Sequence, residues 1–195
     1  MPKIAGAVLA AGLSRRFQGD KLAQAVGGKT LLEWALQSLE PVDYRAVVLR
    51  LGDRKRGIIR GDFTVLVNFR PERGLSSSVK VAASWTPPDS DGLLLVLGDQ
   101  PLSWTVTPRI IRELVDDCLG VSALLDGEPV SPALFSRQIL HELLMLEGDV
   151  GAKSVVLRHR HRFRFVKVDR DDVLDSDRPE DLEDVRRALA RIKSL

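Results

Sequence analysis

Residues Leu93–Pro101 read LLLVLGDQP, five consecutive apolar side chains that stop at Gly98-Asp99. A strand with one wet face alternates apolar and polar residues, whereas a strand apolar at every position has to be covered on both faces. The stretch therefore predicts a buried parallel strand between helices, and the sequence around it repeats the pattern. Ile4–Ala10, Ala46–Leu51 (AVVLRL), Phe63–Asn68 (FTVLVN) and Phe163–Val168 are further strands. Thr30–Leu39 places Leu31, Leu32, Trp34, Ala35, Leu36 and Leu39 at helical spacing, and Leu75–Trp85 reads as a helix behind a glycine. Apolar strands alternating with helices define an α/β fold of three layers, α/β/α, with a mainly parallel sheet.

Farther along the chain the local signals are of other kinds. Thr107-Pro108 predicts a helix to about Leu119, with Thr107 as N-cap and Pro108 at the first helical position. Val121–Leu125 and Pro129–Phe135 flank Asp126-Gly127, a hairpin signal. Ser136–Leu146 reads as helical, a short helix follows Gly148-Asp149, and Asp177 with Glu180 forms a capping box for a final helix. No linker, repeat or low-complexity tract divides the 195 residues, so a single domain over 1–195 is expected.

Composition excludes several classes. The sequence contains no apolar run of 18 residues, so no membrane association is expected. The apolar start is short and gives way to glycine and arginine, which reads as a first strand rather than a signal peptide. With one cysteine, no Cys/His box and a net charge of +2, a soluble cytoplasmic protein is the expectation. Charge is unevenly placed: residues 153–170 carry seven basic residues and one acidic, residues 171–184 eight acidic and one basic. Aromatic content of only 5% and the lack of a reader motif argue against nucleic acid, and such blocks normally form solvated faces that pair with one another. His159 and His161, interleaved with Arg158, Arg160 and Arg162, belong to that basic ribbon. Cys118 sits among apolar neighbours and reads as core, and Ser76–Ser78 fails the nucleophile-elbow spacing.

Two segments could carry chemistry. The first strand runs into LAAGLSRRFQGDK, Leu9–Lys21, where Gly12 and Gly19 accompany Arg15, Arg16 and Lys21. A glycine-bearing loop at the end of a strand can aim backbone N–H groups at anionic oxygens, and the cations suit phosphate. Its spacing is neither a dinucleotide fingerprint nor a Walker loop. An ordinary βα turn with solvated arginines is the alternative. The second segment is Asp99, a carboxylate at the tip of a buried strand. Mg²⁺ takes one or two protein carboxylates and fills its remaining shell with water and phosphate oxygens, which Asp99 would suit, although Gly-Asp before Pro is also an ordinary turn.

LAAGLSRRFQGDK followed some way on by LGDQP resembles the MobA-like nucleotidyltransferases, and most of all their molybdenum cofactor cytidylyltransferase branch. The family opening LAAGxSxRxGxxK is met except that Phe17-Gln18 stands before Gly19. Asn68 with Gly74-Leu75-Ser76-Ser77-Ser78, Leu146–Lys153 (LEGDVGAK) and Leu174–Leu182 (LDSDRPEDL) are similar to further family segments, in order along the chain. One departure falls at Val130-Ser131-Pro132, where the family writes Gly-His-Pro or Gly-Asn-Pro on the acceptor side.

The resemblance implies a three-layer Rossmann-like nucleotidyltransferase fold with an antiparallel strand in the sheet. It implies an enzyme that moves CMP from CTP to the phosphate of molybdopterin cofactor with Mg²⁺, releasing pyrophosphate. Catalysis falls on Arg16, Lys21 and Asp99, and nucleotide binding on Leu9, Ala10, Ala11, Gly12, Ser14, Arg16, Lys21, Asn68, Ser77 and Gly98. The metal falls on Asp99 with Asp149, and the acceptor on Gln100, Pro101, Ser131, Pro132 and Asp149. Ala11, where guanylyl members carry glycine, favours CTP over GTP. The partners implied are an NTP, a molybdopterin-type acceptor and a recipient molybdoenzyme. Rival readings are a GTP-using guanylyltransferase, transfer to a sugar-phosphate-like acceptor, and a carrier that binds cofactor without catalysis.

Overall fold

The computed structural model describes residues 2–13, 17 and 20–193. Its centre is a sheet of β1 (Ile4–Leu9), β4 (Tyr44–Arg50), β5 (Thr64–Asn68), β6 (Gly92–Leu97), β7 (Gly120–Leu125), β8 (Glu128–Ser136) and β9 (Phe163–Lys167). The order is β5-β4-β1-β6-β8-β7-β9. Pairings are parallel except those made by β8, which runs antiparallel to both β6 and β7. The hairpin joining β7 to β8 turns on Asp126 (φ 49) and Gly127 (φ 84), both left-handed as a two-residue primed turn requires. A small antiparallel pair, β2 (Ala25–Val26) with β3 (Lys29–Thr30), stands apart from the main sheet.

Strand side chains point alternately to opposite faces, and β1 shows what that does here. Ala5, Ala7 and Leu9 enter a core with α2 (Leu75–Trp85), α4 (Leu140–Leu144) and α5 (Lys153–Arg158). Ile4, Val8 and Ala10 enter a second core with α1 (Leu31–Gln37) and α3 (Thr107–Arg112). Covering both faces is what the uniformly apolar strands demand. Between Ile4 and Val8, Gly6 lets the turn after α1 approach, since a Cβ there would stand 2.7 Å from Leu39 Cδ2. The last helix, α6 (Asp181–Lys193), forms a third cluster in which Val185, Ala188 and Leu189 meet Val26, Leu31 and Trp34.

Three local expectations are corrected. The helix at Thr107 has Val106 as its N-cap and ends at Arg112 rather than near Leu119, and the Thr107 hydroxyl is buried without a partner. Asp116-Asp117 would place two anions at the negative end of a longer helix, and the chain turns there instead. Ser136 belongs to β8, paired with Gly92, and helix α4 begins only at Leu140 after a 3₁₀ turn. The final helix begins at Asp181 rather than directly after Asp177; the Asp181 carboxylate accepts from the Arg178 N–H, and Asp177 Oδ1 accepts from Lys21 Nζ.

Candidate active site

Strand β1 leads by way of α1 out to β4 on one side, while β6 lies on its other side and leads toward β8. The chain thus diverges at the carboxyl ends of β1 and β6, and in an open α/β sheet that divergence opens a crevice for ligand. The Gly98 N–H locks these two strand ends together by donating to Leu9 O at 3.0 Å, and the Ala10 N–H ties β1 to β4 through Val48 O at 2.9 Å. Glycine suits position 98, because a Cβ would come within 3.1 Å of Leu9 O.

A cleft of about 800 Å³ opens above these ends. Leu9, Ala10, Ala11 and Gly12 form one wall, Lys21 and Asp99 the floor, and Asp177, Asp149 and the start of α2 the remainder. A Cβ on Gly12 would meet nothing within 4 Å, so the backbone there faces open space. Lys21 lies in a 3₁₀ turn, Lys21–Ala23, and its side chain is only 8% exposed. Its Nζ donates to Asp99 Oδ2 at 2.8 Å and to Asp177 Oδ1 at 2.9 Å. Burial by itself lowers a lysine, but the two carboxylates outweigh it and hold Lys21 above its usual value, fully charged. Asp175 stands in the same corner. Although Asp175 is an exposed residue, loss of hydration around its carboxyl and the nearby Asp99 and Asp177 push it up to about 6, against a bond from Gln100.

Beside the cleft, and sharing Leu9, Leu75 and Leu97 with it, is an apolar pocket of about 260 Å³. It runs under α5 against β8, with Gln100, Ser122 and Ser131 among its lining. Gln100 Oε1 and Ser131 Oγ are buried without a partner, so the pocket wall holds two unspent polar atoms.

The structure gathers most, not all, of the residues expected from sequence. Leu9–Gly12, Lys21, Asp99 and Asp149 line the cleft, and Gln100 and Ser131 line the apolar pocket. Ser14 and Arg16 lie outside the described residues. Asn68 lines a separate groove of about 490 Å³ with Asp20, Arg50 and Asp53. Its amide is committed internally, donating to Ser77 Oγ at 2.8 Å and Ser78 Oγ at 3.0 Å, while Ser77 donates on to Gly74 O. Asn68 and Ser77 thus tie β5 to α2, and Ser78 rather than Ser77 reaches the cleft. Gly98 is packed against β1, and Pro101 and Pro132 are buried, the latter after a cis peptide. Asp149 Oδ1 accepts from the Leu75 N–H at 3.2 Å, capping the adjacent start of α2 rather than its own following helix.

Sequence reasoning passes over Asp177, which reads locally as a helix cap, and over Asp175. The signal available for both is the LDSDRPEDL tail. Among the described residues no group of three or more His, Cys, Asp or Glu is placed to hold a metal by itself. The donor set nevertheless fits a hard divalent cation: carboxylates of Asp99 and Asp177 already converge on one positive charge, and Mg²⁺ needs no more than two when phosphates supply the rest.

Residues 6–163 match the family model described as the MobA-like NTP transferase domain. The chain belongs to that family. A MobA-like NTP transferase is a nucleotidyltransferase enzyme, and similarity extends over most of the chain. It is 28% identical to the purine catabolism protein PucB of Bacillus subtilis, over 97% of this chain and 98% of that one. It is 32% identical to a molybdenum cofactor guanylyltransferase of Nitrobacter hamburgensis, over 69% of this chain and 66% of that protein. Among solved structures it resembles the complex of Rv0371c from Mycobacterium tuberculosis with manganese, at 28% identity and a TM-score of 0.75, covering 97% of this chain and 98% of that chain. Among the described residues of this MobA-like enzyme, no helix is long and apolar enough to cross a membrane.

Proposed function

We propose that this nucleotidyltransferase moves CMP from CTP to the phosphate of molybdopterin cofactor, releasing pyrophosphate. The observation that carries the reading is Lys21 held between Asp99 and Asp177 at the β1/β6 switch point. An acceptor phosphate oxygen attacks the α-phosphorus, the new P–O bond forms, and the bond to the β-phosphate oxygen breaks. Negative charge moves onto the departing pyrophosphate, so positioned cations and N–H donors do most of the catalytic work. Lys21 and Arg16 serve as those cations, with backbone N–H groups of the Ala11–Gly12 turn as donors. Because the acceptor is itself a phosphate, no dedicated general base is needed. Asp99 and Asp177 would hold Mg²⁺, which supplies charge neutralisation for the phosphates; Asp149, committed to capping α2, is not in this set.

The base stacks against the Leu9–Gly12 wall, and Ala11 supports CTP. The acceptor lies on the β6–β8 side, its apolar body against the pocket with Gln100 and Ser131, and Asp149 at the rim. A molybdoenzyme is the recipient of the product. Transfer of GMP from GTP is the second reading, supported by the relative named as a guanylyltransferase.

Pyrophosphate release measured with purified protein, molybdopterin cofactor, Mg²⁺ and each nucleotide in turn tests the reading. CTP is expected to exceed GTP at least tenfold in kcat/KM, about 1.4 kcal/mol. The reverse ratio establishes the guanylyl reading, and release with neither nucleotide leaves the carrier and transfer to a sugar-phosphate-like acceptor. A parallel melting-temperature comparison at matched concentrations is expected to favour CTP.

A further inference from the structure

We infer that Lys21 occupies the divalent cation's place when no nucleotide is bound, so that metal and nucleotide must enter together. The inference rests on the reading of Asp99 and Asp177 as the metal's carboxylates. Its ground is geometric. One ammonium lies 2.8 Å from Asp99 Oδ2 and 2.9 Å from Asp177 Oδ1, and those carboxylates come from segments far apart in the chain. The Lys21 side chain is almost fully covered, so its Nζ sits between the two oxygens rather than sampling solvent. A divalent cation on the same oxygens would stand against an ammonium at contact distance, in a partly desolvated corner where like charges repel strongly. The two cannot share the position.

Lysine is suited to such an exchange. Its charge is a compact point on a flexible four-carbon stem, with donors that re-aim freely, unlike the fixed fork of arginine. The cleft that Lys21 floors is continuous with the Leu9–Gly12 wall, where triphosphate is expected, so the ammonium can move onto phosphate without leaving the cleft. Bound triphosphate therefore does two things at once. It draws Lys21 off Asp99 and Asp177, and it brings the additional oxygens that Mg²⁺ requires. Metal alone meets a pair of carboxylates whose charge is already half cancelled by the protein's own cation, which makes affinity for free metal low and couples it positively to nucleotide.

Manganese binding to the whole chain, followed by electron paramagnetic resonance without acceptor, tests this. The wild type is expected to bind Mn²⁺ at least tenfold more tightly with α,β-methylene CTP or α,β-methylene GTP present than without nucleotide. Lys21→Met and Lys21→Gln are expected to bind Mn²⁺ without nucleotide at least tenfold more tightly than the wild type, and Asp177→Asn added to either should abolish the gain. Equal affinity of wild type and both Lys21 variants overturns the inference, as does a gain that survives Asp177→Asn, because the metal then sits elsewhere. The wild-type arm stands even if a variant fails to fold, and nucleotide-independent affinity there also overturns the inference. None of these measurements uses turnover, so failure to make product with molybdopterin is distinguishable from failure of the exchange.

Discussion

A Cβ placed on Gly74 would stand 2.6 Å from the Cα of Asp149 and 2.8 Å from its nitrogen. The first turn of α2 is thereby pressed against the loop at Gly148-Asp149, and bonds stitch the contact: Leu75 N–H to Asp149 Oδ1 at 3.2 Å, Ser76 Oγ to Gly148 O at 2.6 Å. Gly74 also has φ 85, a conformation costly for residues with a side chain. Two segments of the site, the start of α2 and the loop before α5, therefore converge only because position 74 has no Cβ. Gly74→Ala is expected to lose about 2–4 kcal/mol, combining backbone strain with a backbone clash that no rotamer relieves. Urea unfolding measures it, and a loss below about 0.5 kcal/mol would show that the two segments separate freely.

Asp149 tests the division of labour among the carboxylates. As a cap on α2 it contributes about 1 kcal/mol, which Asp149→Ala removes. Asp149→Asn keeps an acceptor oxygen and is expected to retain most of that stability and turnover within about threefold, under ~0.7 kcal/mol of barrier. Loss of activity by two orders of magnitude in a folded Asp149→Asn protein would return it to the metal.

For Asp99 the same substitution should have the opposite outcome. An amide at position 99 cannot hold Mg²⁺ strongly and leaves Lys21 with a weaker partner, so turnover should fall at least 100-fold, about 2.7 kcal/mol. Circular dichroism should remain that of the wild type, since the side chain is 29% exposed and sits at a strand tip. Retention of wild-type rates excludes the metal role.

In the first loop, Arg16→Ala and Lys21→Ala are each expected to cost at least tenfold in kcat/KM, about 1.4 kcal/mol or more of transition-state stabilisation. Arg15→Ala should stay within about twofold. An inversion between Arg15 and Arg16 would move the loop's register by one residue.

How far this site is legible in sequence depends on the range of the interaction. Strands β1, β4 and β6 show themselves because burial on both faces leaves a local mark, a run of apolar residues, that needs no partner to be read, while the partly buried edge strands β5 and β9 are read from their β-branched and aromatic residues. The β7–β8 hairpin shows itself through Asp126-Gly127, whose left-handed turn is equally local. Asp99 and the Leu9–Gly12 wall follow from the rule that ligands meet strand carboxyl ends. Asp177 does not, since its partner Lys21 is 156 positions away and, the resemblance of the LDSDRPEDL tail aside, the residues around Asp177 read equally as a helix cap. Asn68 and Ser77 carry a related ambiguity: polar residues near a site are also the ones that tie its elements together, as the Asn68–Ser77 bond does here. Lys55 is the plainest case. In Asp53–Arg56 (DRKR) it looks like one more solvated cation, and only the packing of the groove wall buries it.

Lys55 is 2% exposed, with Nζ 2.8 Å from the equally buried Asp53 Oδ2 and 3.5 Å from Asp20 Oδ1. Asp53 also accepts from the Lys55 N–H at 3.0 Å and from Arg50 Nε at 3.3 Å. Burial pushes the Asp53 carboxyl up, but the bonds from Lys55 and Arg50 win and hold it below its ordinary value. Removing one member of a buried pair leaves an uncompensated charge, so Lys55→Met should cost about 3 kcal/mol at pH 7, at the lower end for such pairs because Arg50 remains. Lys55→Met with Asp53→Asn should recover most of that loss, since no buried charge is then stranded. A carboxylate lowered on folding binds its proton more readily in the unfolded chain, so its stabilisation is complete above about pH 4 and fades as pH falls through the folded value. Urea midpoints between pH 7 and pH 3 are expected to show this acid loss in the wild type and less of it in Asp53→Asn. A Lys55→Met protein within about 1 kcal/mol of wild type, or a double variant less stable than the single one, would mean that Arg50 and Asp20 carry the cluster without Lys55.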